Sequence, residues 1–258
     1  MDYGLYMSAS GVSAEMARLD VRANNLANAQ TPGFRPISMA TRFRSAVVEE
    51  DGLPFANSSE MLERLGAGIQ PTITRVTNTQ GPLERTERSL DVGIEGPGWL
   101  TVDNGAGDGS LGLTRDGRMA MDARGRLVQA STGFPVLSAA GTQIVLDPRV
   151  PVAIDASGVV HQGEIRRGTL GIVDVPSNDA LEPQGGGIMR VDAQWARSVR
   201  ASTTSRVHQS MVEQSSVDPV RELMILSSAG SNAQRNMRMV GLIAQNMQLA
   251  ISRLGRVA

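Results

Sequence analysis

The 258-residue chain contains neither cysteine nor lysine, and all 25 of its basic residues are arginine. Without cysteine it can have no disulfide, no thiolate nucleophile and no cysteine-ligated zinc. Without lysine it can have no Schiff-base chemistry and no P-loop lysine on a nucleotide phosphate. Its two histidines, His161 and His208, lack the spacing of a metal-binding motif. These absences exclude several large classes of enzyme, and we expect no cofactor and no metal.

Aromatic residues make up only 3% of the chain, whereas glycine numbers 28. The core must therefore consist mainly of aliphatic side chains, and the chain must turn often. The net charge of -1 supplies no field that would attract nucleic acid or an anionic membrane. The chain has no run of about 18 apolar residues. It also lacks a basic and then apolar leader, so we expect no nucleic-acid partner, no membrane insertion and no cleaved signal peptide.

Both ends of the chain carry apolar or small residues at alternating spacings of three and four, which is typical of a heptad seam. The seam predicts two long terminal helices that pack on other helices. Its residues are Leu5, Val12, Met16, Leu19 and Leu26 in the first helix, and Leu226, Ala233, Met237, Val240, Met247, Ile251 and Leu254 in the last. Thr31-Pro32-Gly33 should end the first helix, and Asp218-Pro219 should begin the last.

Between the seams, apolar and polar residues alternate from Ile69 onward, which predicts strands. Asn104-Gly105 and Asp116-Gly117 favour hairpin turns, because glycine accepts the positive φ that such turns require. A short echo, Asp-Ala-x-Gly followed by a strand, occurs at Asp122 and again at Asp155. A hairpin that recurs is the simplest explanation of this echo.

These patterns predict an α+β fold with long N- and C-terminal helices forming a coiled-coil core segment and a mainly antiparallel β middle domain. The predicted division is 1–36 for the first core helix and its turn, 37–68 for a connector, 69–200 for the β domain, 201–217 for a return connector and 218–258 for the last core helix.

The catalytic alternative is a β-domain hydrolase or carbohydrate-active protein that uses paired carboxylates from Asp103, Asp108 or Asp116. No Gly-x-Ser-x-Gly elbow supports a serine hydrolase. The segment from Gly93 to Gly98 has the wrong order for a dinucleotide loop, and Pro97 removes an amide that a phosphate would need. We therefore expect no catalytic residue.

One segment combines an Asn-Asn-hydrophobic-Ala-Asn run with a following Thr-x-Gly-aromatic-basic run. Its residues are Asn24, Asn25, Leu26, Ala27, Asn28, Thr31, Gly33 and Phe34, followed by Arg35. This segment resembles the N-terminal signature of the bacterial flagellar axial proteins, the rod and hook subunits. Further similarity lies in 90–99, 113–128 and 213–224, so the resemblance covers essentially the whole chain.

The resemblance implies a structural rod subunit whose partners are itself and other flagellar rod and hook axial proteins. It implies export by the flagellar type III apparatus without a cleaved signal, and polymerisation through the terminal helices into the periplasmic drive shaft that transmits motor torque. Chain length favours a rod subunit over a hook subunit. The Thr-Pro-Gly-Phe-Arg form and the Met-Asp-Tyr-Gly-Leu-Tyr start resemble the proximal-rod type, with a distal-rod or hook subunit as the alternative. Phe43 and Val47 match the Phe-x-x-x-hydrophobic export-gate pattern of these proteins.

Overall fold

The computed structural model describes residues 2–43, 69–105, 111–191 and 195–254. Helix α1 spans Asp2–Ala27 and helix α2 spans Pro219–Leu254. Short 3-10 helices span Asn178–Ala180 and Ala196–Ser198. The strands are β1 Ile37–Phe43, β2 Ile69–Val76, β3 Leu83–Arg85, β4 Val92–Glu95, β5 Trp99–Asp103, β6 Leu111–Thr114, β7 Met119–Met121, β8 Leu127–Gln129, β9 Val152–Ile154, β10 Val159–Gln162, β11 Ile165–Thr169, β12 Ile172–Asp174, β13 Leu181–Gly185, β14 Ile188–Val191, β15 Arg200–Ala201, β16 Arg206–Gln209 and β17 Met211–Glu213.

The chain divides into two compact units. The helical unit comprises Met1–Leu26, Ile37–Thr74 and Pro219–Ala258, of which the described residues form α1, α2, β1 and most of β2. The β unit comprises Ala27–Pro36 and Arg75–Asp218. The last part of the signature therefore belongs to the β unit, although the helix before it does not.

In the helical unit, α1 and α2 run antiparallel. Near the end of α1, Arg22 Nη1 donates to Glu222 Oε1 at the start of α2, at 2.8 Å. Gly11, earlier in α1, lies beside Asn236, later in α2. Asn25 is fully buried, and its side chain both donates to and accepts from the backbone of Ile37 at 2.9 Å. These two hydrogen bonds therefore fix the start of β1 beside the end of α1.

The prediction of a coiled-coil core was wrong. A coiled coil needs large apolar side chains at its covered positions, but among the α2 side chains that the structure describes the buried ones are Glu222, Ala229 and Ala233, one charged and two small. Met237 and Ile251, which the heptad places on the seam, are 48% and 69% exposed. The two helices pack in part, without a continuous apolar seam between them.

The prediction of a mostly antiparallel β middle is confirmed, since each strand pairing recorded within the β unit is antiparallel. Its largest sheet has the order β13-β14-β6-β5-β12-β15, and β11-β10-β9 form a second one. Strand β5 alternates its side chains between two hydrophobic clusters, Leu100 and Val102 in the larger and Trp99 in the smaller. The larger cluster also includes Val92, Ile94, Met119, Leu127, Val136, Ile144, Val160 and Leu170.

The sequence echo corresponds to two turns of the same construction. Asp122 Oδ1 accepts the backbone amides of Arg124 and Arg126, and Asp155 Oδ1 accepts those of Ser157 and Val159, all within 2.8–2.9 Å. The glycine three residues after each aspartate has a φ of 76° or 79°, a conformation that glycine adopts without steric cost. The echo is therefore a repeated hairpin turn, as the sequence predicted.

Candidate assembly surface and a buried junction

Helix α2 exposes an unusual number of large apolar side chains. Apolar surface of this extent on a single element marks an interaction site more often than a free surface. The exposed residues are Val220, Leu223, Met224, Met237, Met239, Leu242, Leu249 and Ile251. We refer to them below as the α2 apolar surface.

The structure distributes the predicted seam residues unevenly. On α2, Ala233 is buried, Leu226, Val240 and Met247 are half-buried, and Met237 and Ile251 belong to the α2 apolar surface. On α1, Val12, Leu19 and Leu26 are half-buried, while Met16 is 52% exposed. The side chains of Leu5 and Leu254 lie outside the described part of the chain. Only part of each predicted seam is thus covered within one subunit.

A cleft of about 360 Å³ lies within the helical unit, between α1, α2 and β1. Apolar walls come from Val21, Met39 and Ile225. Its rim is charged, because Arg18 pairs with Glu15 at 2.7 Å and also donates to Thr41 Oγ1 at 2.8 Å. Among the described residues that line the cleft, no group of acidic side chains would suit a metal.

The signature residues perform separable local tasks. Asn25 fastens β1 as described above, and Thr31 Oγ1 donates to Asn28 Oδ1 at 3.1 Å in the turn after α1. Asn24 also makes a polar or electrostatic interaction, whereas Leu26 and Ala27 are half-buried and exposed. Gly33 and Phe34 are buried in the β unit.

Gly33 leads into a cluster that we name the junction, formed by Gly33–Arg35, Gly81, Arg115 and Glu213. The Gly33 amide donates to the Glu213 carbonyl at 2.8 Å, and the Gly81 amide donates to Glu213 Oε1 at 2.9 Å. Arg35 Nη2 lies 2.8 Å from Glu213 Oε1, and Arg115 Nη1 donates to Glu213 Oε2 at 3.2 Å. One carboxylate thus holds three segments that are distant in sequence.

The junction carries two positive charges and one negative charge, and the side chains of Arg35, Arg115 and Glu213 are at most 1% exposed. Burial, followed by the charge of Arg35, lowers the pKa of Arg115 to about 10 despite the opposing effects of Glu213 and, to a smaller extent, Asp174. Burial likewise lowers the pKa of Arg35, against the opposing charge of Glu213. Arg115 also lies 5.3 Å from the ring centre of Trp99, which adds cation–π attraction.

The sequence patterns did not identify Arg35, Arg115 or Glu213 as site residues. The available signal was that all three lie in or directly beside segments with the family resemblance: the signature, 113–128 and 213–224. Arg115 also reaches the 90–99 segment, where Nη2 donates to the Gly96 carbonyl at 2.7 Å. Four separate stretches of resemblance thus meet at one buried cluster.

The carboxylates of the catalytic alternative have other partners. Asp116 is buried and accepts two hydrogen bonds from the Arg118 side chain, at 2.8 and 2.9 Å, one from the Arg118 amide at 3.1 Å and one from Ser131. Asp103 accepts the amide of Gly105 in a turn, and Asp108 lies outside the described residues. Within the described ranges, no group of three or more acidic or histidine side chains could hold a metal ion. In the same ranges, neither helix is long and apolar enough to cross a membrane.

Comparison with known proteins identifies the class. Residues 5–35 match the family model described as Flagella basal body rod protein, and residues 93–162 match the Flagellar hook protein FlgE/F/G D1 domain. The flagellar basal-body rod protein FlgF of Caulobacter vibrioides is 31% identical over 258 residues, 100% of both chains. FlgF of Mesorhizobium japonicum is 31% identical over 260 residues, 99% of both chains. The rod protein FlgG of Buchnera aphidicola is 29% identical over 264 residues, 95% of this chain and 96% of that one.

Fold, exposed helix and full-length similarity together define a structural assembly subunit and not an enzyme. The chain belongs to the family of flagellar basal-body rod proteins. As a member, it is a structural component of the flagellar basal body and assembles with other flagellar axial components.

Proposed function

We propose that this rod subunit contacts itself and other rod and hook axial proteins through the α2 apolar surface, and that the resulting rod transmits motor torque. The observation that carries the proposal is the exposure of eight large apolar side chains on one helix. Their burial between subunits would contribute about 25 cal/mol per Å² of apolar area removed from water. The contact does not require a heptad seam.

The proposed position is the proximal rod. Support comes from FlgF relatives that align with this chain over its full length. FlgG relatives align almost as completely, which keeps a distal-rod subunit as the alternative, with a hook subunit a more remote one. Electron cryo-microscopy of isolated basal bodies would decide between them, since the subunit would occupy either end of the rod or the hook.

The proposed route to the rod is export by the flagellar type III apparatus, without a cleaved signal, to the periplasmic part of the basal body. Phe43, at the end of β1, is 81% exposed and supports a role in the export-gate pattern. Val47, the second residue of the pattern, lies outside the described residues. Replacing Phe43 by Ala should reduce the amount of subunit that leaves the cytoplasm, and unchanged secretion would remove Phe43 from this role.

Assembly is tested by complementing a strain that lacks its own copy of the gene. Met237→Asp and Ile251→Asp place a charge in the α2 apolar surface, and Gln234→Asp adds the same charge at an exposed polar position of the same helix. Both apolar variants should be exported normally but fail to restore swimming, because a charge buried in an interface costs several kcal/mol. Gln234→Asp should swim. Normal swimming of both apolar variants would contradict the proposed contact.

A further inference from the structure

We propose that Glu213 is a positioning residue: its single carboxylate locks together the two chain segments that lead to the terminal helices, before and independently of any contact between subunits. The inference goes beyond the proposed rod contact, because it concerns how one subunit folds. It depends on residues of the β unit alone.

The backbone first brings the two segments side by side. The Gly33 amide donates to the Glu213 carbonyl at 2.8 Å, and the Ser216 amide donates to the Phe34 carbonyl at 3.3 Å. The segment that follows α1 and the segment that precedes α2 are therefore paired directly, although about 180 residues separate them.

A third segment, which contains Gly81 and Pro82, lies on the other side of Glu213. The Gln214 amide donates to the Pro82 carbonyl at 2.9 Å, and β17 pairs with β3. The Gly81 amide, the neighbour of Pro82, donates to the same Glu213 Oε1 that lies 2.8 Å from Arg35 Nη2. Glu213 thus lies between the segment of Arg35 and the segment of Gly81, and its carboxylate contacts both.

The backbones at two of these positions pack too closely to admit any side chain. A Cβ on Gly33 would lie 2.3 Å from the backbone carbon of Arg115, and a Cβ on Gly81 would lie 2.0 Å from the Gln214 carbonyl oxygen. Real side chains do not approach so closely, so both glycines permit contact between backbones. Close packing of this kind resists small displacements of the segments.

Charge makes the lock depend on Glu213 in particular. Both Arg35 and Arg115 pair with this carboxylate, so its neutralisation leaves two buried guanidinium groups that repel each other. Removal of Arg35 instead leaves one pair, Arg115 with Glu213. Loss of one partner from a buried ionic cluster destabilises far more when it leaves charge uncompensated.

The test is hydrogen exchange of the full-length chain, followed by mass spectrometry of peptides that cover 31–36, 78–84 and 211–217. In Glu213→Gln, all three should exchange faster by about tenfold or more and with a common rate, because the segments open together. Peptides from β5 and β6 should keep the wild-type rate. Faster exchange confined to 211–217 would overturn the proposal, since it would reduce Glu213 to a local role.

Three further variants keep the test decisive. Glu182→Gln removes an exposed carboxylate that pairs with Arg190, and all three peptides should keep their wild-type rates. Arg35→Met should leave 78–84 and 211–217 slower than in Glu213→Gln. If Glu213→Gln does not fold, the double variant Arg35→Met with Glu213→Gln should recover a folded chain, because it retains one buried cation instead of two. Equal damage from Arg35→Met and Glu213→Gln would exclude the lock, whatever the outcome of the swimming experiments.

Discussion

At the scale of residues, the signature glycine illustrates a requirement that only the fold explains. Gly33 has a φ of 69° and its α-carbon lies against the backbone of Arg115 and Asp116. Conformation and space both call for glycine here. Gly133 has a φ of 75° and nothing within 4 Å of the position of a Cβ, so conformation alone calls for glycine there.

This pair of glycines gives a matched test. Gly133→Ala should lower the free energy of unfolding by about 1–2 kcal/mol, the cost of the left-handed conformation. Gly33→Ala should lower the free energy of unfolding by this amount and by about 1–3 kcal/mol more, because its Cβ also overlaps with the backbone of Arg115. Urea unfolding followed by tryptophan fluorescence measures both, because Trp99 is buried in the same unit. Equal losses in the two variants would show that the close approach to Arg115 is not a constraint.

Asp155 provides a pH test at the same scale. The Ser157 hydroxyl, at 2.6 Å, and the amides of Val159 and Ser157 hold the pKa of Asp155 below its ordinary value of 3.8. A carboxylate with a lowered folded-state pKa stabilises the fold above its unfolded pKa, and that stability is lost as the pH falls below 3.8 through the folded value. Ser157→Ala should raise the pKa of Asp155 toward 3.8. The pH dependence of the carboxyl carbon chemical shift measures the pKa of Asp155. The chemical shift of Asp122, in the equivalent turn, should keep its wild-type pH dependence.

At the scale of elements, local chemistry predicted the ends of elements better than their partners. Pro219 begins α2 directly after Asp218, and strands flank the glycine-containing turns, because capping and turn preferences act over a few residues. The heptad pattern did not reveal which neighbours cover it. Met237 lies on the predicted seam of α2 and is exposed, whereas its neighbour Asn236, which lies off the seam, is half-buried.

Identical substitutions on α2 distinguish its covered side from its exposed side. Ala233 is 3% exposed and Ala244 is exposed, eleven positions later on the same helix. Ala233→Asp should destabilise the helical unit by about 3 kcal/mol or more by burying a charge without a partner. Ala244→Asp should cost less than about 1 kcal/mol, the difference in helix propensity. Thermal melting of the circular dichroism signal at the helix band measures both in monomeric protein, and indistinguishable melting curves would contradict the packing of α2.

At the scale of the whole molecule, the two units hold their structure by different means. The β unit has two hydrophobic clusters and the charged junction, whereas the side chains that the structure describes on α2 include three buried ones, Glu222, Ala229 and Ala233. Sequence periodicity anticipated strands and helices, and the family resemblance anticipated the rod role. The junction escaped prediction because it joins Arg35, Arg115 and Glu213, which no local pattern connects.

Limited digestion with trypsin should reveal this difference directly, because the chain contains arginine and no lysine. Arg221, Arg235 and Arg238 lie on α2, where few buried contacts oppose local opening, so we expect cleavage there first in dilute wild-type protein. Arg115, buried in the junction, should be cut last. Raising the protein concentration until subunits associate should slow cleavage of α2 in the wild type but not in Met237→Asp, since only the wild type can cover the α2 apolar surface. Protection of α2 equal to that of the β unit in dilute monomer would show that this helix needs no partner, and the proposed contact would lose its physical basis.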